Sequence, residues 1–251
     1  MPPPRLTGDL HVADTADQLY DDLASVLMAT AFRALEKRGG FQLALSGGKT
    51  PEPFYMRLML DPRFRFIPWK DTHLWLVDER CVPLDDERSN FCMIRQILAD
   101  QVPTPRRQVH DMPATEPDAA EQYEAALRTQ LGDDGALDFV LLGMGDDGHT
   151  ASLFPQSPAL AQTERWVVPN EGPTVIPPPR LTMTYPLLNG AAEVAILVTG
   201  ANKWPAIRRV DEQLRKNGPD PQHLPVTGIE PEDGELTWYL DAAAAGGEQS
   251  S

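Results

Sequence analysis

The sequence is poor in cysteine: Cys81 and Cys92 are the only two in 251 residues. Two are too few for a disulfide framework and stand at no metal-ligand spacing, which makes a reducing compartment the simpler assumption. No run approaches 18 apolar residues, which excludes a transmembrane helix, and residues 1–10 lack the basic segment and apolar run of a secretory signal. A cytoplasmic protein with no membrane partner is expected. Positive charge is scarce too, with 22 Lys and Arg against 37 Asp and Glu and a net charge of −15. Affinity for nucleic acid comes largely from phosphate neutralisation, so this balance argues against such a partner. It also requires that any anionic ligand be met by cations gathered at one place. A Walker motif is absent, and no nucleotide cofactor is expected.

What is present is an ordinary globular composition, 41% hydrophobic and 24% charged, which excludes a disordered or fibrous chain. Residues 15–38 predict a helix. Leu19, Leu23, Val26, Leu27, Ala31 and Leu35 share one face, Thr15 with Gln18 has the form of a capping box, and Gly39-Gly40 stops it. Residues 41–45 predict a strand running into Ser46-Gly47-Gly48-Lys49-Thr50-Pro51, with Thr50 as cap and Pro51 in the first turn of the next helix.

That succession recurs. Strand 72–77 ends in Asp78-Glu79-Arg80 and helix 90–98 follows; strand 138–142 ends in the loop from Gly143 to His149; strand 193–198 ends in Thr199-Gly200 before helix 202–216. The strands are continuous apolar runs, as expected where both faces are covered. Strand, loop and helix in repetition predict an α/β fold: one domain with a doubly wound, mostly parallel sheet and helices on both faces, Rossmann-like. Ligands of such sheets sit at strand carboxyl ends, where all four polar loops emerge. Residues 169–179, rich in proline, read as a long surface loop, and 242–251 as a frayed tail.

The loops differ in what they say. Ser46, Gly47, Gly48 and Thr50 offer N–H groups and hydroxyls at a helix N-terminus, favourable for a phosphate or sugar, though a plain tight turn uses the same glycines. Asp78-Glu79-Arg80 fits a solvated charged turn and a guanidinium clamp equally well. The segment 143–155, GMGDDGHTASLFP, is the most informative: glycines push His149 out at a strand end, and a preceding carboxylate can fix its tautomer. Asp146, Asp147 and His149 make a poor metal set, with no further His or Cys at ligand spacing. Lys203, in the first turn of a helix, is disfavoured by the dipole unless an anion faces it. Arg180 reads as a second cationic contact or a surface residue. His11, His73, His110 and His223 are assigned no role.

With these residues the chain resembles the 6-phosphogluconolactonase family, through LALSGGKTPEPFY (43–55), WLVDERCVPLDDERSN (75–90), LLGMGDDGHTASLFP (141–155), RLTMTYPLLN (180–189) and VTGANKW (198–204). The resemblance implies a hydrolase of the oxidative pentose phosphate pathway that opens 6-phospho-D-glucono-1,5-lactone to 6-phospho-D-gluconate, with neither metal nor cofactor. It maps the general base to His149 and a supporting carboxylate to Asp147. Substrate contacts fall on Ser46, Gly47, Gly48, Arg80, Gly148, Arg180 and Lys203. Lys49 stands where the family often has Ser, and Asp146 falls at a variable position and is given no role. The domain is expected over 15–241, with 1–14 an N-terminal extension and 242–251 a flexible tail, and the protein a monomer or weak homodimer. GDDGH is also shared with glucosamine-6-phosphate deaminases, which show an aromatic residue where Arg80 stands; the VDER and SN segments favour the lactonases. A non-catalytic sugar-phosphate sensor would need a DNA-binding module, for which 14 residues are too few.

Overall fold

The computed structural model describes residues 3–132, 135–171 and 178–247. In chain order the elements are β1 (Asp9–Ala13), α1 (Ala16–Arg38), β2 (Phe41–Leu45), α2 (Glu52–Leu60), β3 (Thr72–Leu76), β4 (Asp78–Arg80), α3 (Asn90–Ile94), α4 (Ala119–Leu131), β5 (Phe139–Leu142), β6 (Val167–Asn170), β7 (Arg180–Met183), α5 (Tyr185–Leu188), β8 (Glu193–Val198), α6 (Trp204–Lys216) and β9 (Glu235–Asp241). Six strands form a sheet in the order β1-β9-β8-β5-β2-β3, every pairing parallel. The expected α/β architecture is found.

Local sequence explains the elements. In α1, Leu19, Leu23, Leu27 and Ala31 are fully buried, and each Leu so removed from water contributes roughly 1.5–3 kcal/mol. Thr15 caps the helix by accepting from the Gln18 N–H at 3.2 Å, and Gly39 ends it in the left-handed region at φ 74°. Strands β2, β5 and β8 are buried along their whole length, which is why they read as unbroken apolar runs. The buried Asp138 ties α1 to the sheet: its carboxylate accepts from Arg38 and, at 2.7 Å, from the Gln42 N–H.

Strand order fixes where a ligand can enter. From β2 the chain moves to its neighbour β3, then returns to the other side of β2 as β5. Succession reverses between β2 and β5, and the loops leaving their carboxyl ends diverge there, at the topological switch point. Those loops begin at Ser46 and Gly143.

Several expectations need correction. The boundary at residue 15 is misplaced, because β1 pairs with β9 from Asp9↔Thr237 to Ala13↔Asp241 and is the sheet's edge. In the supposed tail, Ala243 and Ala244 are buried, while 248–251 lie outside the described residues. Asp78-Glu79-Arg80 is not a loop but strand β4, antiparallel to β7 in a second sheet ordered β4-β7-β6. The supposed surface loop starts inside β6, with Pro169 and Asn170 opposite Leu181 and Arg180; residues 172–177 lie outside the described residues. The helix predicted over 90–98 is one α-helical turn, α3, followed by a π-helical turn at Arg95–Ala99. Helix α2 begins at Glu52 with Pro51 before it and no side-chain cap from Thr50.

Candidate active site

The carboxyl ends of the parallel strands and the start of the small sheet enclose a cavity of about 360 Å³. Ser46 to Pro51 line it from β2, Asp78 and Arg80 from β4, Gly143 to Gly145 and His149 from the loop after β5, Arg180 from β7, and Lys203 from the turn before α6. Segments more than 150 residues apart thus meet at one rim, as the polar loops suggested.

His149 sits on a turn closed by two backbone bonds, Gly145 N–H to the His149 carbonyl at 2.9 Å and Gly148 N–H to the Gly145 carbonyl at 3.0 Å. The Asp147 carboxylate lies 2.6 Å from His149 Nδ1 and also accepts the His149 N–H at 3.1 Å. A carboxylate only accepts, so Nδ1 carries the proton and Nε2 is left as the basic nitrogen. Burial alone would push the Asp147 carboxyl up; the hydrogen bonds and charge of His149 outweigh this and hold it below the usual carboxylate range. The pair needs Gly145: a Cβ there would stand 2.1 Å from His149 Nδ1. Phe154 backs the imidazole with ring centroids 4.5 Å apart. Beside it Ala151 is held at φ 47°, a strained value for a residue with a side chain.

The cations come from three elements. Arg80 and Arg180 are direct cross-strand partners of β4 and β7 and share one face. Like charges so placed are destabilising unless something negative lies between or beside them. Arg80 donates from Nη1 to the Arg88 carbonyl at 2.6 Å and to Asn90 Oδ1 at 2.9 Å. Arg180, only 7% exposed, donates to the Pro178 carbonyl at 2.7 Å and has its guanidinium 6.0 Å from the Phe154 ring. Burial, reinforced by Arg80, presses the Arg180 charge downward in pKa, with Asp78 opposing. Lys203 Nζ donates to the Met144 carbonyl at 3.1 Å and to Asp146 Oδ1 at 2.6 Å. Lys49 lines the mouth, exposed.

Residues without a forecast role organise this wall. Glu79, fully buried, accepts the N–H groups of Arg80, Asn90 and Phe91 and the Ser89 hydroxyl, all within 2.8 Å. Burial nonetheless leaves its carboxyl above the ordinary value. Asp78 accepts from Ser152 Oγ at 2.5 Å and from Asn90 Nδ2 at 3.2 Å. Ser152, Asp78, Asn90 and Arg80 therefore form one polar chain along the cavity. Only the family-like segments 75–90 and 141–155 hinted at them.

Two expected contacts sit differently. Ser46 lines the cavity, but its hydroxyl donates to the Leu141 carbonyl at 2.7 Å and bridges β2 to β5. Gly148 is not among the lining residues; at φ 88° it shapes the turn. Gly47 and Gly48 do line it, and Gly47 is sterically required because a Cβ would fall 2.0 Å from Asn90 Oδ1. Gly143–Gly148 has the G-x-G-x-x-G spacing of a dinucleotide loop, yet turns rather than a helix follow it, so the fingerprint's phosphate-binding helix is missing. Among the described residues no three His, Cys, Asp or Glu side chains cluster as a metal site.

The family model described as glucosamine-6-phosphate isomerases/6-phosphogluconolactonase matches residues 14–238. The chain belongs to that family. It is 40% identical to a 6-phosphogluconolactonase of Synechocystis, over 90% of this chain and 93% of the relative. It is also 40% identical to the human GDH/6PGL endoplasmic bifunctional protein, over 92% of this chain but only 29% of that longer protein. The crystal structure of a 6-phosphogluconolactonase from Thermotoga maritima superposes with a TM-score of 0.77 at 29% identity, covering 93% of this chain and 99% of that one. The family match begins just after β1, ends within β9 and takes in every residue lining the cavity.

Proposed function

We propose that this family member hydrolyses 6-phospho-D-glucono-1,5-lactone to 6-phospho-D-gluconate, within the oxidative pentose phosphate pathway. The observation that carries the reading is a histidine whose Nδ1 is committed to Asp147, in the same cavity as Arg80, Arg180 and Lys203. Nε2 of His149 takes a proton from water as the oxygen attacks the lactone carbonyl C1. Collapse of the tetrahedral adduct breaks the bond from C1 to the ring oxygen, and the imidazolium returns the proton to that oxygen. General acid–base help of this kind contributes roughly 10²–10⁴-fold, adequate for a strained ester. Asp147 orients the ring and stabilises its charged form. Arg80, Arg180 and Lys203 hold the phosphate, with the backbone of Gly47 and Gly48 beside it, and binding at this remote end orients the carbonyl against the water.

The 40% identity to the Synechocystis lactonase supports this substrate. Arg80, where deaminases show an aromatic residue, speaks against the amino-sugar alternative. The protein is read as a monomer or weak homodimer, and two unpaired cysteines fit a reducing cytoplasm. A dehydrogenase-coupled assay on freshly generated lactone, corrected for spontaneous opening, should show enzyme-dependent turnover. Release of ammonia from glucosamine 6-phosphate in place of lactone opening would overturn the assignment.

A further inference from the structure

Two consecutive aspartates in the loop after β5 point to different partners. Asp147 holds the imidazole, whereas Asp146 reaches across to Lys203, with Oδ1 2.6 Å from Nζ. The ends of this ion pair differ in setting: the Lys203 side chain is 15% exposed and the Asp146 side chain 78%. Lys203 is thus a largely desolvated cation inside the cavity wall, and the negative charge that answers it is a solvent-exposed carboxylate. The loop is anchored independently of that carboxylate, because the Asp146 carbonyl accepts from Arg209 of α6. Lys203 has a second acceptor as well, the Met144 carbonyl at 3.1 Å. Neither the loop nor the lysine needs the Asp146 charge to stay in place.

From this arrangement we propose that Asp146 is a built-in counter-ion that competes with the substrate's phosphate for Lys203 and so sets how much anionic charge the site demands. With no ligand, Asp146 neutralises Lys203. A ligand of one negative charge gains little by replacing it, since one monoanion is exchanged for another. A phosphate dianion brings one further unit of charge and retains a net attraction. Asp146 would then lower affinity for every anion and leave a net attraction only for a dianion, acting as a specificity-determining residue. The inference rests on the reading of the cavity as a sugar-phosphate site.

Asp146→Asn and Asp146→Ala test it together, with binding of 6-phosphogluconate and of unphosphorylated gluconate followed by calorimetry. Asn keeps an acceptor for Lys203 and removes the charge; Ala removes both. A counter-ion predicts that both variants bind 6-phosphogluconate about two- to fivefold more tightly, the range an ion pair with one exposed partner supports. The gain should shrink as salt is raised from about 50 to 500 mM, because screening already weakens Asp146 in the parent. In turnover the same change is read as a lower KM. If Asp146 instead serves to aim Lys203, Ala weakens binding while Asn restores it, and the inference is wrong. Unchanged affinity in both variants overturns it as well. Should the parent bind neither 6-phosphogluconate nor inorganic phosphate, the sugar-phosphate reading fails first, a result distinct from either outcome in the variants.

Discussion

Arg180 stands directly across from Arg80 in the small sheet, nearly buried, and this predicts a residue that adds little to the stability of the free protein and strengthens the complex. Replacing it with Met keeps the aliphatic bulk and removes the charge. The free protein loses one charge-assisted hydrogen bond to the Pro178 carbonyl, about 1.5–3 kcal/mol, and sheds both a cross-strand repulsion of about 0.2–1 kcal/mol and the cost of keeping a guanidinium nearly buried. Loss and gains nearly cancel, so stability without ligand should stay within about 1 kcal/mol of the parent. Binding should not be so forgiving: a charge-assisted hydrogen bond to phosphate contributes about 1.5–3 kcal/mol, or roughly 10- to 150-fold in Kd. Thermal unfolding with and without 6-phosphogluconate reads both effects. At a ligand concentration about 100 times the parent's Kd, the parent gains about 2.7 kcal/mol, and a variant with a thirtyfold higher Kd gains under about 1 kcal/mol. If Arg180→Met instead loses about 3 kcal/mol without ligand and keeps the parent's ligand-induced gain, Arg180 is a packing residue and the clamp is wrong.

Asp147→Asn should lower kcat by about tenfold. The charge-assisted bond to His149 is discounted to the low end of its range because the pair is open to solvent, and single-turnover rates check it. The folded Asp147 carboxyl lies below its ordinary value, so its stabilisation is full above about pH 4 and is lost as pH falls through the depressed value. Unfolding free energies of parent and variant should therefore differ near neutrality and converge as pH falls below the ordinary carboxylate range. Glu79→Ala strands three buried N–H donors and the Ser89 hydroxyl; a loss of about 3 kcal/mol or more is expected, lowering Tm by roughly 6–12 °C in calorimetry.

Much of the large sheet was legible because β2, β3, β5 and β8 are apolar along nearly their whole length and are bounded by glycine or charged turns. The strands that escaped notice lack that property. Strand β1 is an edge whose Asp9 and His11 meet solvent, and β9 mixes Glu235 and Thr237 with Trp238 and Leu240. Strand β4 carries only Asp78, Glu79 and Arg80, a composition that reads as a turn. It becomes a strand because Glu79 is satisfied by the start of α3 and Asp78 by Ser152, contacts spanning up to 74 residues that no local periodicity records. In the site, the loop His149 and the scarce cations stood out by residue type. Asn90, Ser152 and Phe154 did not, since each acts only through a tertiary neighbour.

The role of His149 is tested most directly by comparing lactone turnover in the parent and in His149→Ala, with 6-phosphogluconate binding measured on the same preparations. The predicted result is a fall in kcat of about 10²–10⁴-fold with product affinity held within a few-fold. Turnover that survives within a few-fold of the parent would contradict it.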